Sequence, residues 1–119
     1  MDKNIFGEPL RVCCTTPLTG YFRDGYCRTD QNDYGSHTVC VIVTEEFLIF
    51  SKNRGNDLIT PRPEHLFPGL KAGDMWCLCA VRWQEAFLAG CAPKVYLEAT
   101  DEKALKVIKI NDLISHAKK

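Results

Sequence analysis

The chain has 119 residues, with fifteen basic side chains cancelling fifteen acidic ones, and seven cysteines. Its length suits a single domain that can form a core without staples. The cancelled charge argues against a partner held through a phosphate backbone, so nucleic acid is not expected. The opening MDKNIFGEPL lacks both the apolar core of a signal peptide and an Arg-rich amphipathic pattern. No stretch approaches the ~18 apolar residues of a membrane span, so a soluble, cytoplasmic protein without a membrane partner is expected. An odd cysteine count with no secretory signal predicts reduced thiols, most of them packed as small core residues, and not a disulfide framework.

Residues 1–10 read as an arm broken by Gly7 and Pro9. Arg11–Thr15 is a short strand candidate, and Pro17 and Gly20 mark a turn. The run YFRDGYCR, 21–28, has two aromatic arms around Asp24-Gly25, the dipeptide favoured in a type I′ hairpin turn. A polar loop, 29–36, leads to HTVCVIV, 37–43, β-branched and apolar enough for a strand buried on both faces. Thr44 caps a helix predicted over 45–54, with Glu45 and Glu46 in its first turn, Lys52 and Arg54 near its end and Gly55 after it. From Asn56 to Lys71 three prolines and no usable period predict a long loop, the kind that covers a site or carries function.

The clearest period in the chain lies between Asp74 and Gly90. At about 100° per residue, Trp76, Cys79, Ala80, Trp83, Ala86 and Phe87 fall on one stripe, so the pattern predicts an amphipathic helix from 75 to 89, capped by Asp74 and ended by Gly90. On such a helix Cys77 and Cys79 point apart; on a strand they would share a face. Alternation then predicts strands over 94–98 and 105–110, and Asn111 a short terminal helix. The strands and helices do not alternate regularly, which points to an α+β fold: a single compact domain, 1–119, with a mixed or antiparallel sheet and helices packed on it as a two-layer sandwich.

Candidate chemistry concentrates in the first half. Cys13-Cys14, Cys27 and His37-x-x-Cys40 are possible zinc ligands by type, but they lack paired C-x-x-C knuckles, so no metal and no cofactor are expected. A nucleophilic thiol needs a neighbouring base oriented by a third group. Cys27 or Cys40 with His37 is the candidate pair, with Asp24 or Asp33 as the orienting group. Cys27 is the better partner, because His37 and Cys40 face opposite sides of a straight strand. Arg23, Asp24, Asp33, Asn56, Asp57 and Arg82 are candidate ligand-binding residues, and a pocket is expected between the 21–40 region and the 55–71 loop. No phosphate-cradling glycine loop, nucleophile elbow or H-E-x-x-H motif occurs.

Four stretches, PLTGYFRDGYC (17–27), GSHTVC (35–40), RGNDLITPRPEHLFPGLKAGDMWCLCAVRW (54–83) and CAPKVYLEAT (91–100), together resemble a bacterial family known as domain of unknown function 2237. The resemblance covers nearly the whole chain and implies a small α+β fold, with no activity or site residue to carry over. The sequence therefore favours a non-enzymatic domain that binds a small molecule or a protein. The alternative is a thiol-dependent enzyme using Cys27 or Cys40 with His37.

Overall fold

The apolar run HTVCVI forms the central strand, β1 (His37–Ile42), of the computed structural model, which describes residues 2–118. Its alternation divides the interior in two. Val39 and Val41 face a large core with Phe47, Leu48, Trp76, Leu78, Trp83 and Val95. Cys40 faces a smaller cluster with Cys13, Cys27, Cys77 and Ala99. β2 (Met75–Cys79) and β3 (Lys94–Val95) flank β1, giving the antiparallel order β2-β1-β3. With three helices against this sheet, the fold is the α+β arrangement expected.

Helix α1 (Glu45–Asn53) starts where Thr44 accepts the Phe47 N–H at 3.1 Å, and buries Phe47, Leu48 and Ser51. Gly55, at φ 91°, follows it in the left-handed region.

The helix expected over 75–89 forms only in part. Its first five residues are β2, and α2 is Ala80–Leu88. The misreading has a physical cause: MWCLC is buried on both faces, Trp76 and Leu78 in the large core and Cys77 in the small one, so one stripe fits either period. Pairing with β1 settles the choice, since it satisfies the backbone groups that β2 turns toward β1. Asp74 does not cap a helix; its carboxylate accepts the Lys71 N–H at 2.9 Å, closing the turn before β2. From Ala80 onward the stripe holds, with Ala80, Trp83 and Ala86 buried.

Three other expectations change. The strand over 94–98 ends at Val95, because Leu97–Ala99 turns into a 3-10 helix. The strand over 105–110 does not form. Glu102–Lys106 is 3-10, its start capped by Asp101 accepting the Lys103 N–H at 2.9 Å, and α3 is Ile110–Ile114. Ala104 and Ile108 are the buried residues of that run, a spacing of four that belongs to helical turns and not to a pleat. At Asp24-Gly25 a type I′ turn requires positive φ at both central residues, but the left-handed residues are Arg23 and Gly25.

Candidate active site

The polar loop and the ends of the two longer strands meet in one place. His37 opens β1 and Cys79 closes β2, and the two are register partners, with an irregularity between His37 and Val39. Their side chains touch: Cys79 Sγ lies 3.2 Å from His37 Nε2. On the other side of the ring, His37 Nδ1 is 2.7 Å from Asp33 Oδ1. The side chain of Asp33 is only 2% exposed. It is fixed by two further bonds to Oδ2, from the His37 N–H at 2.9 Å and the Thr29 hydroxyl at 2.9 Å. Sulfur, imidazole and carboxylate therefore form a continuous chain.

The loop is built to allow this approach. A Cβ on Gly35 would stand 2.9 Å from Cys79 Sγ and 3.2 Å from His37 Cε1, so any larger residue would push on both. The Ser36 carbonyl accepts the Ala80 N–H at 2.9 Å, tying the first residue of α2 to the loop that presents Asp33. Cys79 itself is the residue before the helix, and its side chain caps no N–H there.

Protonation follows from these contacts. The bond to the Cys79 sulfur, helped by the Asp33 carboxylate and opposed by burial, pushes the His37 imidazole up to about 9. Burial alone would push the Asp33 carboxyl up. The bonds from the His37 backbone and ring and from Thr29 outweigh it and hold the group below its ordinary value. The Asp33 carboxylate thus favours the imidazolium form of His37.

His37 and Cys79 open onto a cavity of about 320 Å³. Trp76 and Leu78 of β2 and Tyr21 and Arg23 of the 21–28 segment form part of its wall, and Asn56, Asp57, Leu58, Arg62, His65 and Phe67 close it from the proline-bearing segment. Among the residues singled out from the sequence, Arg23, His37, Asn56 and Asp57 line this cavity, and Asp33 stands behind His37. Asp24 and Arg82 do not line it. Asp24 accepts the Tyr26 N–H and pairs with Arg28, while Arg82 donates to the Arg54 carbonyl at 3.0 Å and meets Glu85. Asp57 closes its own turn, accepting from the N–H groups of Ile59 and Thr60 and from the Thr60 hydroxyl at 2.6 Å. The Thr60 hydroxyl first, then those N–H groups, hold its carboxyl down to about 2.

The two cysteines proposed as partners of His37 are displaced from that role. Cys27 is bonded to Cys77 and Cys40 to Cys13, with Cα–Cα distances of 5.2 and 5.7 Å. Both Cys27 and Cys40 are fully buried, so neither offers a free thiol. The expectation that the cysteines are reduced is corrected for these four. Strand pairing places Cys40 opposite Cys77, and folding of the N-terminal segment brings a loop cysteine to each. Separations of 27 and 50 residues carry no sequence signature, since spacing does not fix connectivity. Cys14, Cys79 and Cys91 remain free. Burial first, then the nearby Glu46, pushes the Cys91 thiol up. The sulfurs of Cys13, Cys27 and Cys77 lie within 4.8 Å of one another, but a disulfide sulfur has no thiolate to give a metal.

Sequence reasoning missed Cys79 because the assumed helix placed it on the buried stripe. The alternation in MWCLC was the signal that could have found it, since on a strand Cys79 becomes the terminal residue and can face a cavity.

These features describe a small α+β domain with a cysteine–histidine–aspartate chain at the edge of a cavity. The model of a family described as an uncharacterized protein conserved in bacteria, domain of unknown function 2237, matches residues 3–117, and the chain belongs to that family. No curated protein matches it. Among the described residues no helix is long and apolar enough to cross a membrane.

Proposed function

We propose that the protein is a thiol-dependent enzyme acting on an activated carbonyl compound, with Cys79 as nucleophile, His37 as acid and base, and Asp33 as the group that orients His37. The observation that carries this reading is the alignment Cys79 Sγ to His37 Nε2 at 3.2 Å and His37 Nδ1 to Asp33 at 2.7 Å, beside a cavity of small-molecule size. In the first step the Cys79 thiolate bonds to the carbonyl carbon, and His37 gives its proton to the departing group as that bond breaks. In the second, neutral His37 takes a proton from water, which adds to the thioester carbon. Cys79 leaves as thiolate and the product is a carboxylic acid. The Ala80 N–H is occupied by Ser36, and the following N–H groups of α2's first turn receive no side-chain cap. A purely binding role would use the cavity but leave the sulfur–imidazole contact without a purpose.

The test is site-resolved alkylation with iodoacetamide across pH, read by mass spectrometry, together with trapping of an acetyl group from p-nitrophenyl acetate. Cys79 is expected to react fastest of the three free cysteines, to carry the acetyl group, and to slow by at least about tenfold in His37→Ala. A Cys79 that reacts no faster than Cys14, or that is indifferent to His37→Ala, would overturn the reading.

A further inference from the structure

The thiol chemistry uses His37 and Cys79 and leaves other residues of the cavity lining unexplained. Arg23 and Arg62, from segments far apart in the chain, both line the cavity. Among the described residues neither takes part in an ion pair. Arg23 is also held in place: its guanidinium carbon lies 5.1 Å over the Trp76 ring, and its backbone is turned into the left-handed region at φ 55°. Stacking on an indole face orients a guanidinium without consuming its donors. Asp57 is a carboxylate of the same lining, and its oxygens are directed at Ile59 and Thr60 of its own turn. Trp76, Leu78 and Phe67 give the lining its apolar part.

We propose that the substrate carries a carboxylate at the end remote from the carbonyl that Cys79 attacks, with Arg23 and Arg62 clamping that carboxylate and the apolar part of the lining packing its short carbon stem. The proposal rests on the thiol reading and names the substrate class for it. Guanidinium forks match the planar carboxylate by paired hydrogen bonds. Two guanidinium groups against the one Asp57 carboxylate leave a single positive charge, which one carboxylate neutralises and a doubly charged phosphate would overshoot. A cavity of about 320 Å³ is at the small end of the range for small-molecule sites of roughly 300–1,000 Å³, which suits a metabolite and not a polypeptide.

Two alkylating reagents that differ only in charge make the test. N-iodoacetyl-β-alanine carries a carboxylate on a short carbon stem and its primary amide does not, and each rate at Cys79 is divided by the rate for a free cysteine peptide under the same conditions. The acid-to-amide rate ratio is expected to exceed one in the wild-type protein. It should fall by about three- to tenfold in Arg23→Gln and in Arg62→Gln, the size of one lost charge contact in a partly desolvated site. Arg23→Lys and Arg62→Lys keep the charge but lose the fork and should retain part of the preference, which separates lost recognition from lost folding. Lys106→Gln makes the same charge change on an exposed residue outside the cavity and should leave the ratio at its wild-type value. A ratio unmoved by the arginine substitutions, or moved equally by Lys106→Gln, overturns the carboxylate clamp. Slow alkylation by both reagents would instead refute the thiol reading, and the ratio of the two slow rates would still report on the arginines.

Discussion

Replacing Gly35 by alanine should damage the thiol site while leaving the fold nearly intact. The added carbon would stand 2.9 Å from Cys79 Sγ and 3.2 Å from His37 Cε1, where contacts of 3.4 Å or more are ordinary. Relief therefore requires the sulfur to retreat by about 0.5 Å and the ring by about 0.2 Å, which displaces both partners of the 3.2 Å sulfur–imidazole contact. A misplacement of about 1 Å costs reacting groups about a hundredfold in rate, so half of that costs about tenfold. The fold feels less. Gly35 lies outside the left-handed region, so alanine strains no backbone and gains about 0.4–1 kcal/mol from a stiffer unfolded chain. That offsets part of an overpacking cost of about 1–3 kcal/mol. With about 4 °C of melting temperature per kcal/mol for a chain of this size, the midpoint should fall by no more than about 10 °C. Alkylation of Cys79 at a temperature well below the midpoint, alongside a thermal melt, reads both quantities. A wild-type rate in Gly35→Ala would refute the claim that the close sulfur–imidazole contact sets the reactivity of Cys79.

Three further outcomes follow from the packing and the charges. Trp83, fully buried and donating its indole N–H to the Pro93 carbonyl at 3.2 Å, should cost about 3–5 kcal/mol on truncation to alanine. Leu88, 75% exposed, should cost no more than about 0.5 kcal/mol, and equal urea midpoints for the two variants would show the face of α2 to be misassigned. A dithiol reductant that opens both disulfides releases loops of 27 and 50 residues, each worth about 3.5–4 kcal/mol by chain entropy and not additive because the loops overlap. A melting temperature unchanged after thiol counting proves full reduction would contradict that link. The pH dependence has two limbs. The raised His37 contributes stability that is full below its ordinary 6.5 and is lost as pH rises through about 9. The lowered Asp33 contributes stability that is present above its ordinary 3.8 and is lost as pH falls through its native value. Urea midpoints from pH 2 to 10 should lose the alkaline decline in His37→Gln and part of the acid one in Asp33→Asn.

Much of the frame was legible because single residues carried unambiguous signals: Thr44 at the start of α1, the β-branched run of β1, Gly90 after α2. What failed did so where two periods fit the same letters. MWCLC satisfied a helical stripe and a pleat equally, and only the presence of β1 alongside decided between them. The KALKVIKI segment alternated like a strand, yet its buried pair, Ala104 and Ile108, is spaced as in helical turns. The candidate site was legible in half. His37 and Asp33 stood close in sequence with matching chemistry, and the structure brings them together. The sulfur lay 42 residues away from His37, on a residue whose role depended on the element that had been misread.

That dependence explains why Cys79 and not another thiol meets the histidine. Its backbone is still extended, at φ −55° and ψ 133°, while the next residue is already the first of α2, so no loop intervenes between sheet and helix. The sulfur inherits its direction from the strand, and neither element can move without the other. The 29–36 loop then supplies three separate requirements from adjacent positions: Asp33 for the carboxylate, Gly35 for room, and the Ser36 carbonyl to anchor Ala80. Trp83, one turn into α2, locks the helix against the large core and stacks on Phe87 at 5.4 Å. Placement of the Cys79 sulfur therefore comes from rigid elements on two sides and a short loop on the third, the condition under which a thiol–imidazole pair holds its geometry.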